Sequence, residues 1–140
     1  MKLKYCLLVI VVSSFLASLI QTNFGKVDIT LERLDTDNSQ YIYYDLYRPK
    51  TATSDNKAPF IAIIPGFQRS KEALSNIAIE LSRRGYVVGL IDPYAQGLSS
   101  SSLSRRAATT EGYGRFALID HIYESDQYDF INKELLGTTG

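Results

Sequence analysis

The chain has 140 residues, of which 45% are hydrophobic and 21% charged, and its formal net charge is zero. This composition is typical of one ordinary globular domain and excludes a disordered, collagen-like or disulfide-rich chain. Because acidic and basic residues balance, the chain has no net positive charge that would attract nucleic acid, and we expect no nucleic-acid partner. One Cys and one His do not make a usual zinc site, and we expect neither a metal nor a cofactor.

The N-terminus carries an apolar segment that differs from the rest of the chain. Lys2 and Lys4 precede an uncharged run from Tyr5 to Ile20, and the next charge is Lys26. The pattern predicts an export or anchoring segment over residues 1–25 and a globular domain over residues 26–140. A helix over this run spans roughly 24 Å, short of the ~30 Å hydrocarbon core, so length alone does not separate a signal peptide from an anchor.

The residues near the end of the run favour an uncleaved signal-anchor. A cleavable signal needs small residues one and three positions before the cut, but Phe15 lies two positions before Ala17 and no Ala-x-Ala pattern follows. The two leading lysines hold the N-terminus inside. The rest of the chain is therefore expected on the extracytoplasmic side, membrane-bound or secreted if the segment is cleaved. Cys6 is expected to be an inert apolar residue.

Four strands are predicted in the first part of the globular domain. Apolar and polar residues alternate from Val27 to Glu32, and an aromatic-rich run extends from Tyr41 to Tyr47, with a turn over Asp35 to Ser39 between them. These runs predict two antiparallel strands, on which the tyrosines pack. The apolar runs Phe60 to Ile64 and Val87 to Ile91 predict buried strands of a parallel sheet.

A helix is predicted between the two buried strands. Ser70 is its expected N-cap and Gly85 follows its last turn. Its apolar face is expected to consist of residues at helical spacing: Leu74, Ile77, Ala78 and Leu81. A helix that links two buried strands makes a crossover between parallel strands.

The last third of the chain predicts a loop, a helix and a strand. Residues 97–114 are rich in Ser, Thr and Arg and predict a surface loop. Phe116, Ile119 and Tyr123 mark a second helix, and residues 131–140 predict a turn that leads into a short strand. The predicted fold class is α/β.

Three stretches resemble the N-terminal half of the α/β-hydrolases: Ala58 to Gln68, Glu80 to Tyr86, and Val87 to Ser99. In that family a buried strand ends in His-Gly-X, a helix runs to Arg-Gly-Tyr or similar, and the next strand ends in Asp before a Gly-x-Gly-x-Ser loop. Residues 129–140 are similar to the approach to the family's nucleophile elbow, Gly-His-Ser-x-Gly-Gly, with Gly140 as the first glycine. The resemblance implies a partial α/β-hydrolase sheet and an esterase- or lipase-like activity on a small-molecule ester or acyl substrate.

The same resemblance places the nucleophilic serine beyond Gly140 and the catalytic acid and histidine later still. We therefore expect no catalytic residue within this chain, and no activity from the chain alone. The chain is expected to supply one oxyanion-hole donor at Gly66 and Phe67. Pro65 stands where the family usually has His, although some polyester-cleaving and lipase-like members are similar in this respect. The alternative is a Pro-Gly turn that only ends the strand.

Three other polar features are interpreted as structural. Asp92 matches the strand-end Asp of the family, whose usual role is to fix the following turn. The serines after Gly97 have no base nearby, and His121 precedes the expected nucleophile and is interpreted as a helix-surface residue. Two functional hypotheses remain: a membrane-anchored or exported serine hydrolase of which this is the N-terminal piece, or a non-catalytic exported α/β binding module or gene remnant.

Overall fold

A five-stranded mixed sheet with the strand order β1-β2-β4-β3-β5 forms the centre of the computed structural model. The structure describes residues 2–36, 39–66, 68–101 and 112–140. The strands are β1 (Val27–Asp35), β2 (Tyr41–Pro49), β3 (Ala58–Ile63), β4 (Val87–Ile91) and β5 (Ile131–Thr139).

The pairing directions confirm the predicted α/β class. Strands β1 and β2 are antiparallel, with a register that runs from Val27 opposite Pro49 to Asp35 opposite Tyr41. Strand β4 is antiparallel to β2, whereas β3 is parallel to both β4 and β5. The two N-terminal antiparallel strands are thus followed by parallel strands, as a partial α/β-hydrolase sheet requires.

The helix between β3 and β4 begins differently from the prediction. A 3-10 turn occupies Lys71–Leu74, and helix α2 (Ser75–Arg83) follows it. Ser70 occupies the N-cap position of the 3-10 turn, but its side chain makes no capping hydrogen bond. Of the predicted apolar face, Ala78 is buried and Leu74 and Leu81 pack against the same cluster, whereas Ile77 is 44% exposed. The predicted end is confirmed, with Gly85 at φ +94° after the last turn.

The second helix and the last strand also differ in detail. Helix α3 spans Arg115–Glu124, but its buried residues are Leu118 and Ile122, while Phe116 and Tyr123 face solvent. The predicted helix is confirmed, and of the three residues that marked it Ile119 packs against the buried cluster. Strand β5 is nine residues long and starts at Ile131, so the expected turn before a short strand is not found there. Its pairing with β3 is continuous apart from a bulge opposite Ala58 to Phe60.

The two helices that follow β3 and β4 cover opposite faces of the sheet. Phe60, Leu118 and Ile122 belong to one buried cluster, under α3. Ile63, Ala78 and Val88 belong to the other, under α2. Buried apolar residues on both faces explain why β3 and β4 are continuously apolar in sequence.

Helix α1 covers Lys2–Gln21, a length of about 30 Å at ~1.5 Å per residue. Its segment Leu3–Gln21 has a mean hydropathy of 2.2 and is not buried in the fold, which suits a signal sequence or a membrane anchor. A short hydrogen-bonded turn joins it directly to β1, because the amide of Val27 donates to the carbonyl of Thr22 at 3.0 Å. The guanidinium of Arg83 also donates to the carbonyl of Ile20 at 2.9 Å.

Candidate functional site

The carboxyl ends of the three parallel strands meet at one edge of the sheet. Strand β3 is followed by Ile64, β4 by Asp92 and β5 by Gly140. The amide of Ile64 donates to the carbonyl of Thr139 at 3.1 Å. A side chain at Gly140, whose φ is +151°, would collide with the Ile64 carbonyl. Ligands of open α/β sheets bind outside the carboxyl ends of the strands, so this edge is the candidate site.

The predicted oxyanion-hole segment follows β3 at this edge. Pro65 is buried, Gly66 is exposed, and a Cβ atom on Gly66 would meet nothing within 4 Å. The carbonyl of Gly66 accepts from the amide of Arg69 at 3.2 Å, which makes a tight turn. The predicted donor Phe67 lies outside the described residues. Gly66 therefore stands beside open space, in the loop that follows β3.

Asp92 joins the loops that follow β3 and β4. It is fully buried, and its carboxylate accepts from the amide of Lys71 at 2.8 Å and from the amide of Leu98 at 3.1 Å. Gly97 lies against the same carboxylate at φ +55°, a conformation that favours glycine. Because backbone amides occupy both carboxylate oxygens, Asp92 fixes the turn that follows it and holds the start of the 3-10 turn in place.

An ion pair between the buried Lys71 and the partly buried Asp45, which no local sequence pattern indicated, lies beneath the same loop. The ammonium group of Lys71 is 3.1 Å from the carboxylate of Asp45 on β2 and 2.9 Å from that of Glu72. Burial raises the pKa of Asp45, although Lys71 opposes that shift. A hydrogen bond from Ser70, together with Lys71, lowers the pKa of Glu72 to about 2. The pair connects the loop after β3 to a strand two positions away in the sheet.

The described residues contain no serine hydroxyl that is hydrogen-bonded to His121. The hydroxyls of Ser99 and Ser100 accept from the backbone amides of Tyr43 and Tyr41, at 2.9 and 3.0 Å. His121 is half-buried on α3, with Nε2 3.4 Å from the hydroxyl of Tyr128. It packs edge-on against the Tyr128 ring and is less exposed than a helix-surface residue. Among the described residues, this edge thus presents the exposed backbone at Gly66, in the loop after β3.

Solved structures share this architecture. The chain matches a hypothetical protein from Pseudomonas aeruginosa with a TM-score of 0.67 and 25% identity, over 83% of this chain and 36% of that one. It matches the α/β hydrolase GrgF from Penicillium sp. sh18 with a TM-score of 0.63 and 18% identity, over 79% and 36% of the two chains. An esterase from Pyrococcus furiosus gives a TM-score of 0.63 and 13% identity, over 84% and 43%.

These similarities establish an α/β-hydrolase-like fold. The chain spans between 36% and 43% of the length of the three structures. The sequence matches neither a protein-family model nor a curated protein.

Proposed function

We propose that the chain is the N-terminal part of a membrane-anchored or exported serine hydrolase that acts on ester or other acyl bonds. The observation that carries this proposal is that Gly140 lies against Ile64, two residues before Gly66, at the edge where the ends of β3 and β5 are joined by the hydrogen bond between Ile64 and Thr139. The α/β-hydrolase-like fold supports it, as does the partial coverage of the solved structures.

The proposed chemistry is acyl transfer. An attacking serine on a turn that begins at Gly140 would generate negative charge on the carbonyl oxygen of the substrate, and backbone amides would stabilise that charge. The segment at Gly66 and Phe67 would supply one amide, because open space beside Gly66 leaves room for the substrate. Asp92 and Lys71 would act as positioning residues, since they hold the loop that carries this segment and touch no reacting atom.

The first test concerns the nucleophile. The coding DNA downstream of Gly140 is expected to continue with His-Ser-x-Gly-Gly, in the same or a shifted frame. The extended protein is then expected to hydrolyse p-nitrophenyl acetate and to be labelled by a fluorophosphonate at that serine. The 140-residue chain is the matched control, with neither turnover nor label, because one oxyanion donor is useless without a nucleophile. A fluorophosphonate-sensitive esterase activity of the 140-residue chain would contradict the assignment, and so would a continuation without the serine.

The second test concerns the anchor. After expression, we expect the full chain to stay in the membrane pellet during carbonate extraction. Val11→Arg is expected to release most of it, because a cation at the centre of a spanning helix costs about 3 kcal/mol on insertion scales. Val11→Leu is the matched control and should remain in the pellet. A shortened form in the medium, beginning after about residue 20, would show that the apolar segment is a cleaved signal peptide and not an anchor.

A further inference from the structure

A cavity of about 680 Å³ lies on the α3 face of the sheet, over β1 and β2. Thr30 and Glu32 of β1 line it together with Arg48 of β2, and Tyr128 and Phe130 form the wall opposite. The register places Glu32 opposite Tyr44 and Thr30 opposite Leu46, so their side chains share one face. This volume is in the range of small-molecule pockets, and the lining combines apolar with polar groups.

Glu32 is held at the wall of the cavity by three hydroxyl groups. Thr30 donates to Oε1 at 3.0 Å, while the hydroxyls of Tyr44 and Tyr128 contact Oε2 at 2.6 and 2.8 Å. Burial raises the pKa of Tyr128 to about 12, and burial and the hydrogen bond to Glu32 raise the pKa of Tyr44 even further. Both tyrosines are therefore protonated at neutral pH and present donors to the carboxylate, whose orientation they fix.

The carboxylate of Glu32 has no cationic partner in the part of the chain that the structure describes. The other carboxylate of the lining, Asp28, lies 3.6 Å from the ammonium group of Lys50. The guanidinium of Arg48 lies 3.8 Å above the ring of Phe130 and donates to the carbonyl of Ala52. Glu32 is thus an oriented, half-buried acidic group beside an open, partly apolar space, and a cation placed there gains more than it would in bulk water.

We propose that this cavity binds a small organic cation, with an ammonium group on Glu32 and an apolar portion against Leu46 and Phe130. Asp28 is paired with Lys50 and Arg48 is held by Phe130 and the carbonyl of Ala52, so the remaining negative charge of Glu32 favours a cation over an anion. The site is independent of the proposed hydrolase edge, because β2 and β4 separate β1 from β3. Its ligand would be recognised whether or not the chain belongs to an active hydrolase.

The test compares benzylamine, which is protonated at pH 7, with its neutral analogue benzyl alcohol. Binding to the full chain in a mild detergent micelle is measured by NMR, through the shifts of the tyrosine ring signals. Benzylamine is expected to bind at least tenfold more tightly than benzyl alcohol and to shift the Tyr44 and Tyr128 signals. The preference is expected to weaken at high salt, because part of it is coulombic.

Glu32→Gln keeps the shape of the side chain and removes its charge, so it is expected to lower the affinity for benzylamine at least tenfold. Asp35→Asn is the matched control, because Asp35 lies on the same strand, is 75% exposed and does not line the cavity. Equal affinities for the amine and the alcohol would overturn the proposal even if Glu32→Gln failed to fold. Unchanged benzylamine binding in a folded Glu32→Gln variant would overturn it as well.

Discussion

Phe60→Ala is expected to lower the free energy of unfolding by about 4 kcal/mol, the range found when a fully buried phenylalanine is truncated. Phe60 lies at the centre of the sheet with none of its surface exposed, and its ring fills the space over Gly89, where a Cβ atom would come within 2.8 Å of it. The neighbouring strand offers no side chain there to fill the cavity that alanine leaves. Urea unfolding of the full chain in a detergent micelle, followed by near-ultraviolet circular dichroism, measures the loss.

Phe116→Ala is the matched control for this prediction. The same atoms are removed, but Phe116 is 44% exposed on the outer side of α3. Its truncation is expected to cost less than about 1 kcal/mol, as is usual at surface positions. Equal losses from the two variants would mean that the Phe60 ring is not the centre of the core.

Asp92→Ala is expected to cost about 3 kcal/mol, even though the removed side chain is polar. Its loss leaves the buried amides of Lys71 and Leu98 without their acceptors, and each unsatisfied group carries a desolvation penalty of about 1–3 kcal/mol. The loops after β3 and β4 then lose their common attachment. Urea unfolding measures the loss, and faster amide exchange at Lys71 and Leu98 reports the loosening of the two loops.

Asp129→Ala provides the comparison, because Asp129 is an exposed carboxylate between α3 and β5. Its removal is expected to change stability by about 0.5 kcal/mol or less. Protected amides at Lys71 and Leu98 in Asp92→Ala would refute the role of Asp92 as the link between the two loops.

Local sequence patterns were sufficient to predict the elements whose structure depends on residues adjacent in the sequence. The apolar run before Asp92 predicted β4, and Gly85 predicted the end of α2, because a buried strand and a left-handed C-terminal residue leave local signatures. The buried residues of α3 were not predictable in the same way, and on α2 the predicted face was right for Leu74, Ala78 and Leu81 but not for Ile77. Each helix has only about ten residues with several apolar positions, and packing against the sheet decides which of them are buried.

Both polar clusters depend on the order of the strands, which local patterns do not contain. Lys71 meets Asp45 because β4 pairs with β2, although 26 residues separate them in sequence (71 minus 45). Tyr128 meets Glu32 across a sequence separation of 96 residues. Of the candidate site, Gly66 and Asp92 could be predicted because each lies within three residues of the end of a strand, whereas partners brought together by the sheet could not.

The junction between α1 and β1 determines how far the globular part could move if α1 lies in a bilayer. Five unstructured residues would form a tether of about 17 Å when extended. Here residues 22–26 instead form a turn, in which the amide of Val27 donates a hydrogen bond to the carbonyl of Thr22. The guanidinium of Arg83 also donates a hydrogen bond to the carbonyl of Ile20 in the last turn of α1. The globular domain would therefore stay close to the bilayer surface, and a change in the tilt of α1 would tilt the whole sheet with it. A molecule that binds the domain would then be held close to the membrane surface.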